Sequence, residues 1–287
     1  MATVLDKEAA SRATEEELIR QARRRELIRR WFWRIMGYIV IIGLWEFASG
    51  RVMAESLLPG PLHVVETFGE LWTAEIAGVT PFGGKVLPAF GATLQRLFVG
   101  FGLSFLVGTI VGVTSQNRWW ESSFKDATLI SLTAPGLIWV LITAIIFGNR
   151  IWGPLIAIIL TTFGLVTINV YEGVRSLPKD LLDMGRAFHV SNLNLQRHIV
   201  LPHLAPFLFT GLRFGFSIAW KVTVLTEVFS SSSGIGFELR VSQILFKNDE
   251  VLTWILVFFV FALFLEKVVL QAFERRYFRW RQAVEAA

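Results

Sequence analysis

Apolar residues fall in long runs separated by short polar breaks, a pattern that predicts six membrane-crossing helices at roughly 35–49, 97–114, 127–147, 151–170, 206–229 and 251–273. Most of these runs approach the ~20 residues that a helix rising about 1.5 Å per residue needs to cross a hydrocarbon core of roughly 30 Å. Helices are indicated rather than barrel strands, because the runs are continuous instead of alternating. The chain therefore reads as an all-α integral membrane protein in three parts. A charged N-terminal helix covers 1–34, a six-span domain 35–273, and a basic tail 274–287.

The polar breaks orient the spans. Arg20, Arg23, Arg24, Arg25, Arg29, Arg30 and Arg34 precede the first span, and Arg275, Arg276, Arg279 and Arg281 follow the last. Positive residues remain on the cytoplasmic side, so both termini are expected there, and an even number of spans satisfies that. The breaks at 115–126 and 171–205 then lie inside, and those at 50–96, 148–150 and 230–250 outside. No secretory signal is expected ahead of the first span, since its apolar core would stand much nearer Met1. The N-terminal run also carries Glu15, Glu16, Glu17 and Glu26 at helical offsets from the arginines, which suits a solvated or membrane-surface helix or a docking element.

Composition agrees with this class: 53% of the 287 residues are hydrophobic, with 25 Phe and 11 Trp, and mean hydropathy is +0.53. The net charge of +5 comes from the ends and span flanks, so it reads as topology rather than nucleic-acid binding. With no Cys, disulfides and thiolate metal sites are excluded. Three of the four histidines, His189, His198 and His203, lie in the 171–205 loop, but their spacings are not those of ligands one helical turn apart, and no metal or catalytic site is expected. Nor is there a phosphate-binding loop, because Gly84-Lys85 is followed by Val86 and lacks the earlier glycine. Any ATP chemistry must belong to another polypeptide.

The loop at 171–205 is the most informative segment. Pro178 suits a helix start, and Leu181, Leu182, Gly185 and Phe188 recur at helical offsets. Ser191 can cap a second helix that runs to about Leu201 and ends at Pro202. A short rigid helix joined to a span at each end would turn the motion of a docked subunit into tilting of those spans.

Within the spans, Gly108 and Gly112, and likewise Gly211 and Gly215, put small residues on one helical face for close packing. Pro135-Gly136 predicts a kink in the third span. Lys221 lies well inside the fifth, and an intramembrane charge points to function by default. At about 100° per residue Ser217 shares its side of the helix, whereas Glu227 falls on roughly the opposite one. Lys221 either faces a translocation path and attracts an anion, or pairs with another helix or the outer interface. Glu227 is either a gate or dimer contact, or a solvated boundary carboxylate.

The order Glu172-Gly173-Val174-Arg175, Ile199-Val200-Leu201-Pro202 and Gly211-Leu212-Arg213 resembles the signature loop of importer permeases of the ATP-binding-cassette class, in the nitrate, sulfonate and taurine branch. Leu58-Pro59-Gly60-Pro61, Thr93-x-x-Arg96-x-x-x-Gly100-Phe101, Phe147-Gly148-Asn149 and Ser233-Gly234-Ile235-Gly236 extend the likeness across 57–270. The resemblance implies a type I importer permease fold in a bacterial inner membrane. Its partners would be a second permease copy, an ATPase dimer that holds ATP and Mg, an extracytoplasmic binding protein and membrane lipid, with no cofactor on this chain.

The resemblance makes Pro178, Leu181, Leu182, Asp183, Gly185, Arg186, Phe188, His189, Leu201 and Pro202 an ATPase-coupling loop, and Ser217, Lys221 and Glu227 a path or gate. Two positions depart from the family pattern: Met184 stands where a small residue is usual, and His189 where a helix-ending glycine is usual. The rival reading is a gradient-driven transporter or channel without an ATPase. A membrane-embedded enzyme and a non-transporting scaffold are the others.

Overall fold

A computed structural model of the chain describes residues 2–74, 82–115 and 118–270. They are helical, with no strand among the described residues. The chain divides into two compact units, residues 1–65 and 66–287.

In the first unit one helix, α1, runs without a break over Ala2–Ala48. The charged N-terminal segment and the first span are therefore a single rod. Its Arg24–Ala48 portion is long and apolar enough to cross a membrane, and it exposes apolar side chains around its circumference, including Trp33, Ile35, Tyr38, Ile41 and Leu44. Such an all-round apolar surface suits lipid rather than water. The Leu58-Pro59-Gly60 turn is tied back to it by the Trp45 indole, which donates to the Pro59 carbonyl at 3.0 Å. The helix α2, Pro61–Thr73, follows.

The second unit is built around α6, Trp152–Arg175, which packs mainly against α3, Val86–Thr114, and α9, Leu201–Ser230, while α4, Arg118–Thr133, and α5, Gly136–Phe147, lie along it. Leu97, Ala157, Ile158, Val166, Val170 and Ala219 are fully buried at its centre. Small residues set the approach. A Cβ on Gly108 would meet Val166 at 2.7 Å, and one on Gly112 would meet Val170 at 2.7 Å, so this glycine pair packs α3 on α6 within the chain. Between spans, where water cannot compensate, hydroxyls bridge the helices. Ser104 and Thr162 share a 2.7 Å hydrogen bond, and Ser131 donates to the Leu160 carbonyl at 2.7 Å.

Among the described residues five helices are long and apolar enough to span, or six if α4 and α5 count as one broken span. The expected kink at Pro135 is a bend of 103°. Proline fixes its own φ and disfavours helix at the preceding residue, so α4 stops at Thr133 and α5 starts afresh at Gly136. The fifth span also differs from its expected limits. The short α8, Asn192–Leu195, passes through a π turn at Gln196–Val200 directly into α9. Pro202 does not end a helix. It lies just past the π turn, inside the continuous helical run.

Candidate functional site

The loop between α6 and α9 is a rigid hairpin. Its ends are braced where Ser176 and His203 share a 3.0 Å hydrogen bond and where Phe207 fills the space beside Gly173. Helix α7, Lys179–Ala187, begins just after Pro178. Ser191 caps α8, its hydroxyl accepting from the Asn194 N–H at 3.4 Å. Between the two helices the chain reverses at His189, whose φ of 54° is left-handed. Phe188 N–H bonds the Met184 carbonyl, and Val190 N–H reaches back to the Gly185 carbonyl at 2.9 Å. This is a Schellman ending with His189 in the place that glycine usually takes. The backbone therefore keeps the turn that the resemblance implies, with histidine, which tolerates the left-handed region better than most residues.

The two faces of α7 differ. Leu182 is half-buried and Gly185 buried, so close to Leu195 that a Cβ would collide with it. Leu181, Met184 and Phe188, at i, i+3 and i+7, point outward and are 40%, 50% and 76% exposed. An apolar stripe on the solvent face reverses the usual polarity of an amphipathic helix and marks a surface for a partner. Met184, which replaces a small residue, thus needs no cavity. Asp183 is exposed, as are Leu201 and Pro202 at the start of α9. The side chain of Arg186 lies outside the described residues.

Glu227 is neither solvated nor on an outer surface. It is fully buried and serves as the hub of a polar knot. Arg96 donates to its Oε1 at 2.7 Å, Thr93 to its Oε2 at 2.9 Å, and the Gly236 N–H to Oε2 at 3.1 Å. Arg96 also bonds the Ser233 carbonyl and hydroxyl at 2.7 and 2.6 Å, and the Ile235 N–H donates to Thr93 at 2.9 Å. The knot fastens α3, α9 and the start of the outer helix α10, Ile235–Ile244, together. Arg96 and Thr93 were visible in sequence as a one-turn pair, but their partner, 131 and 134 residues away, was not.

Lys221 is exposed on α9 and makes no hydrogen bond or ion pair among the described residues. Among the described residues it pairs neither with a charge on another helix nor with Glu227. It lines an open cleft of about 400 Å³ together with Ser217 and Trp220 of α9, Phe259 of α11, Asn248–Phe264, and Glu266 just beyond it. Glu266 accepts from Ser217 and from Arg213, each at 3.2 Å.

Outside the spans, Glu238 on α10 is pushed above the ordinary glutamate range, chiefly by burial; Lys85 opposes the shift and Glu250 adds to it. A raised folded value means that the fold favours the proton. The stabilising contribution is complete below the unfolded value and is lost as pH rises through the folded one. Glu238→Gln is therefore expected to raise the thermal midpoint in detergent at neutral pH, with the gain vanishing below about pH 4.5. An equal gain at both pH values would contradict this origin.

Residues 104–279 match the family described as binding-protein-dependent transport system inner membrane component. The chain belongs to this permease family. It is 31% identical over 212 residues to the bicarbonate transport system permease protein CmpB of Synechococcus elongatus, covering 71% of this chain and 73% of CmpB. It is 26% identical over 205 residues to the nitrate import permease protein NrtB of the same organism, covering 69% and 71%. The fold matches a chain of the inward-facing MetNI methionine ABC transporter at a TM-score of 0.50 and 17% identity, over 65% of this permease and 94% of that chain. The permease is thus a multi-pass protein of the bacterial inner membrane with a type I importer fold.

Proposed function

We propose that this permease is the membrane subunit of an ATP-driven importer, working as a homodimer and receiving its solute from an extracytoplasmic binding protein. ATP and Mg belong to a separate ATPase that docks on α7. The observation that carries the reading is the exposed stripe of Leu181, Met184 and Phe188 on a helix braced to two spans. A docked subunit that moves this helix moves α6 and α9 with it.

The solute is a small anion. Bicarbonate and nitrate are named for two relatives, and unpaired Lys221, beside Ser217 in an open cleft, supplies a cation at membrane depth. Both residues line the path in this reading, and the Glu227 knot holds the outer gate as one body. Purification from the native host in mild detergent is expected to bring down a stoichiometric subunit with a Walker A motif. Its ATP hydrolysis should rise when the loaded binding protein is added. A chain that purifies alone and conducts solute without ATP would be a channel or gradient-driven transporter instead.

A further inference from the structure

A second basic cavity, remote from Lys221, opens at the opposite end of the spans. It occupies about 300 Å³ between the end of α3, α4 and the last turns of α6. Lys125 and Arg175 stand at its rim, and Leu129, Leu132 and Ile168 form an apolar wall. By the positive-inside assignment this end is cytoplasmic.

Two features mark it as a site for a ligand that is anionic at one end and apolar at the other. Lys125 makes no hydrogen bond or ion pair among the described residues, and Arg175 reaches only the Tyr171 hydroxyl, at 3.5 Å. The apolar wall continues outward, with Leu129 and Leu132 exposed at the depth where acyl chains lie.

We propose that this cavity binds an anionic phospholipid of the cytoplasmic leaflet, with its phosphate between Lys125 and Arg175 and an acyl chain along Leu129 and Leu132. The volume suits a headgroup rather than a whole lipid. The site also has a connection to coupling. Ser115, Tyr171 and Arg175 are shared with an adjoining cavity of about 540 Å³ that extends to Lys179 and Leu182 on α7. A bound headgroup therefore sits at the root of the coupling helix, where it would stiffen the α6–α7 junction. The inference does not depend on which solute is carried.

The test is native mass spectrometry of the purified full-length protein, with the subunits that accompany it, titrated with phosphatidylglycerol, phosphatidylcholine or inorganic phosphate. Wild type is expected to retain phosphatidylglycerol in preference to phosphatidylcholine. Lys125→Gln with Arg175→Gln should weaken that retention on the order of thirtyfold, since each basic side chain near the surface contributes about one charge's worth of attraction to an anionic lipid. The charge-preserving pair Lys125→Arg with Arg175→Lys should retain most of it, and decides the matter if the glutamine pair fails to fold. Unchanged retention in the charge-neutral pair, or complete displacement of the lipid by inorganic phosphate at equal concentration, would overturn the proposal. The latter result would mean a free-anion site.

Discussion

Arg96→Ala is expected to destabilise the permease by about 3–5 kcal/mol, the cost of leaving a buried charge without its partner. The size follows from burial: Glu227 has no exposure and the Arg96 side chain only 14%. Arg96 also satisfies the Ser233 carbonyl, so the same change loosens the start of α10, which stays tied to α3 through the Ile235 N–H on Thr93. Glu227→Gln should cost less, about 1–3 kcal/mol, because the amide still accepts from Arg96 but turns a donor toward Thr93 or the Gly236 N–H, both of which already donate. Replacing both charges by methionine should recover much of the loss. Thermal unfolding of each variant in one detergent measures these differences. A midpoint for Arg96→Ala equal to wild type would show that the pair does not hold the outer end together.

Leu181→Asp, Met184→Asp and Phe188→Asp combined are expected to abolish ATPase binding while leaving the permease folded. These side chains are solvent-facing in the isolated chain, so nothing in its own core is lost. Each apolar side chain that would be buried by a docked subunit contributes roughly 1.5–3 kcal/mol, and removing three should weaken association at least about a hundredfold. Leu182→Asp and Gly185→Ala supply the contrast. Gly185 packs on Leu195, and half-buried Leu182 lines the cavity beside Leu177, so both changes should lower stability before they affect docking. Size-exclusion profiles and ATPase recovery after affinity capture separate the two outcomes. Full ATPase recovery with the triple variant would remove α7 as the docking surface.

Much of this architecture was legible in the chain, because apolar run length is set by membrane thickness and appears without tertiary information. The break at Pro135 was readable for a similar reason, since it follows from the proline ring, although the angle of 103° is set by packing on α6. The continuity of α1 was hidden because its two halves differ in composition while sharing one helical backbone. Pro202 misled because proline commonly follows a helix, whereas here the π turn at Gln196–Val200 carries the helical run across it.

At the site, sequence brought out α7 but not its faces. Leu181 and Leu182 are adjacent leucines, one outward and one half-buried beside Leu177, and only the folded loop tells them apart. His189 looked like a departure from the family pattern, yet its left-handed φ preserves the turn. Glu227 was noticed for its place at the end of a span. Its pairing with Arg96 required knowing that α3 and α9 meet at that level, which no local pattern encodes.

The most direct test of the importer reading is uptake into proteoliposomes that hold the permease and its co-purified ATPase, with loaded binding protein outside and ATP sealed inside. An importer accumulates labelled anion only when ATP is present, and loses that accumulation with the α7 triple variant. Uptake of the same extent without ATP, or unaffected by the triple variant, would contradict it.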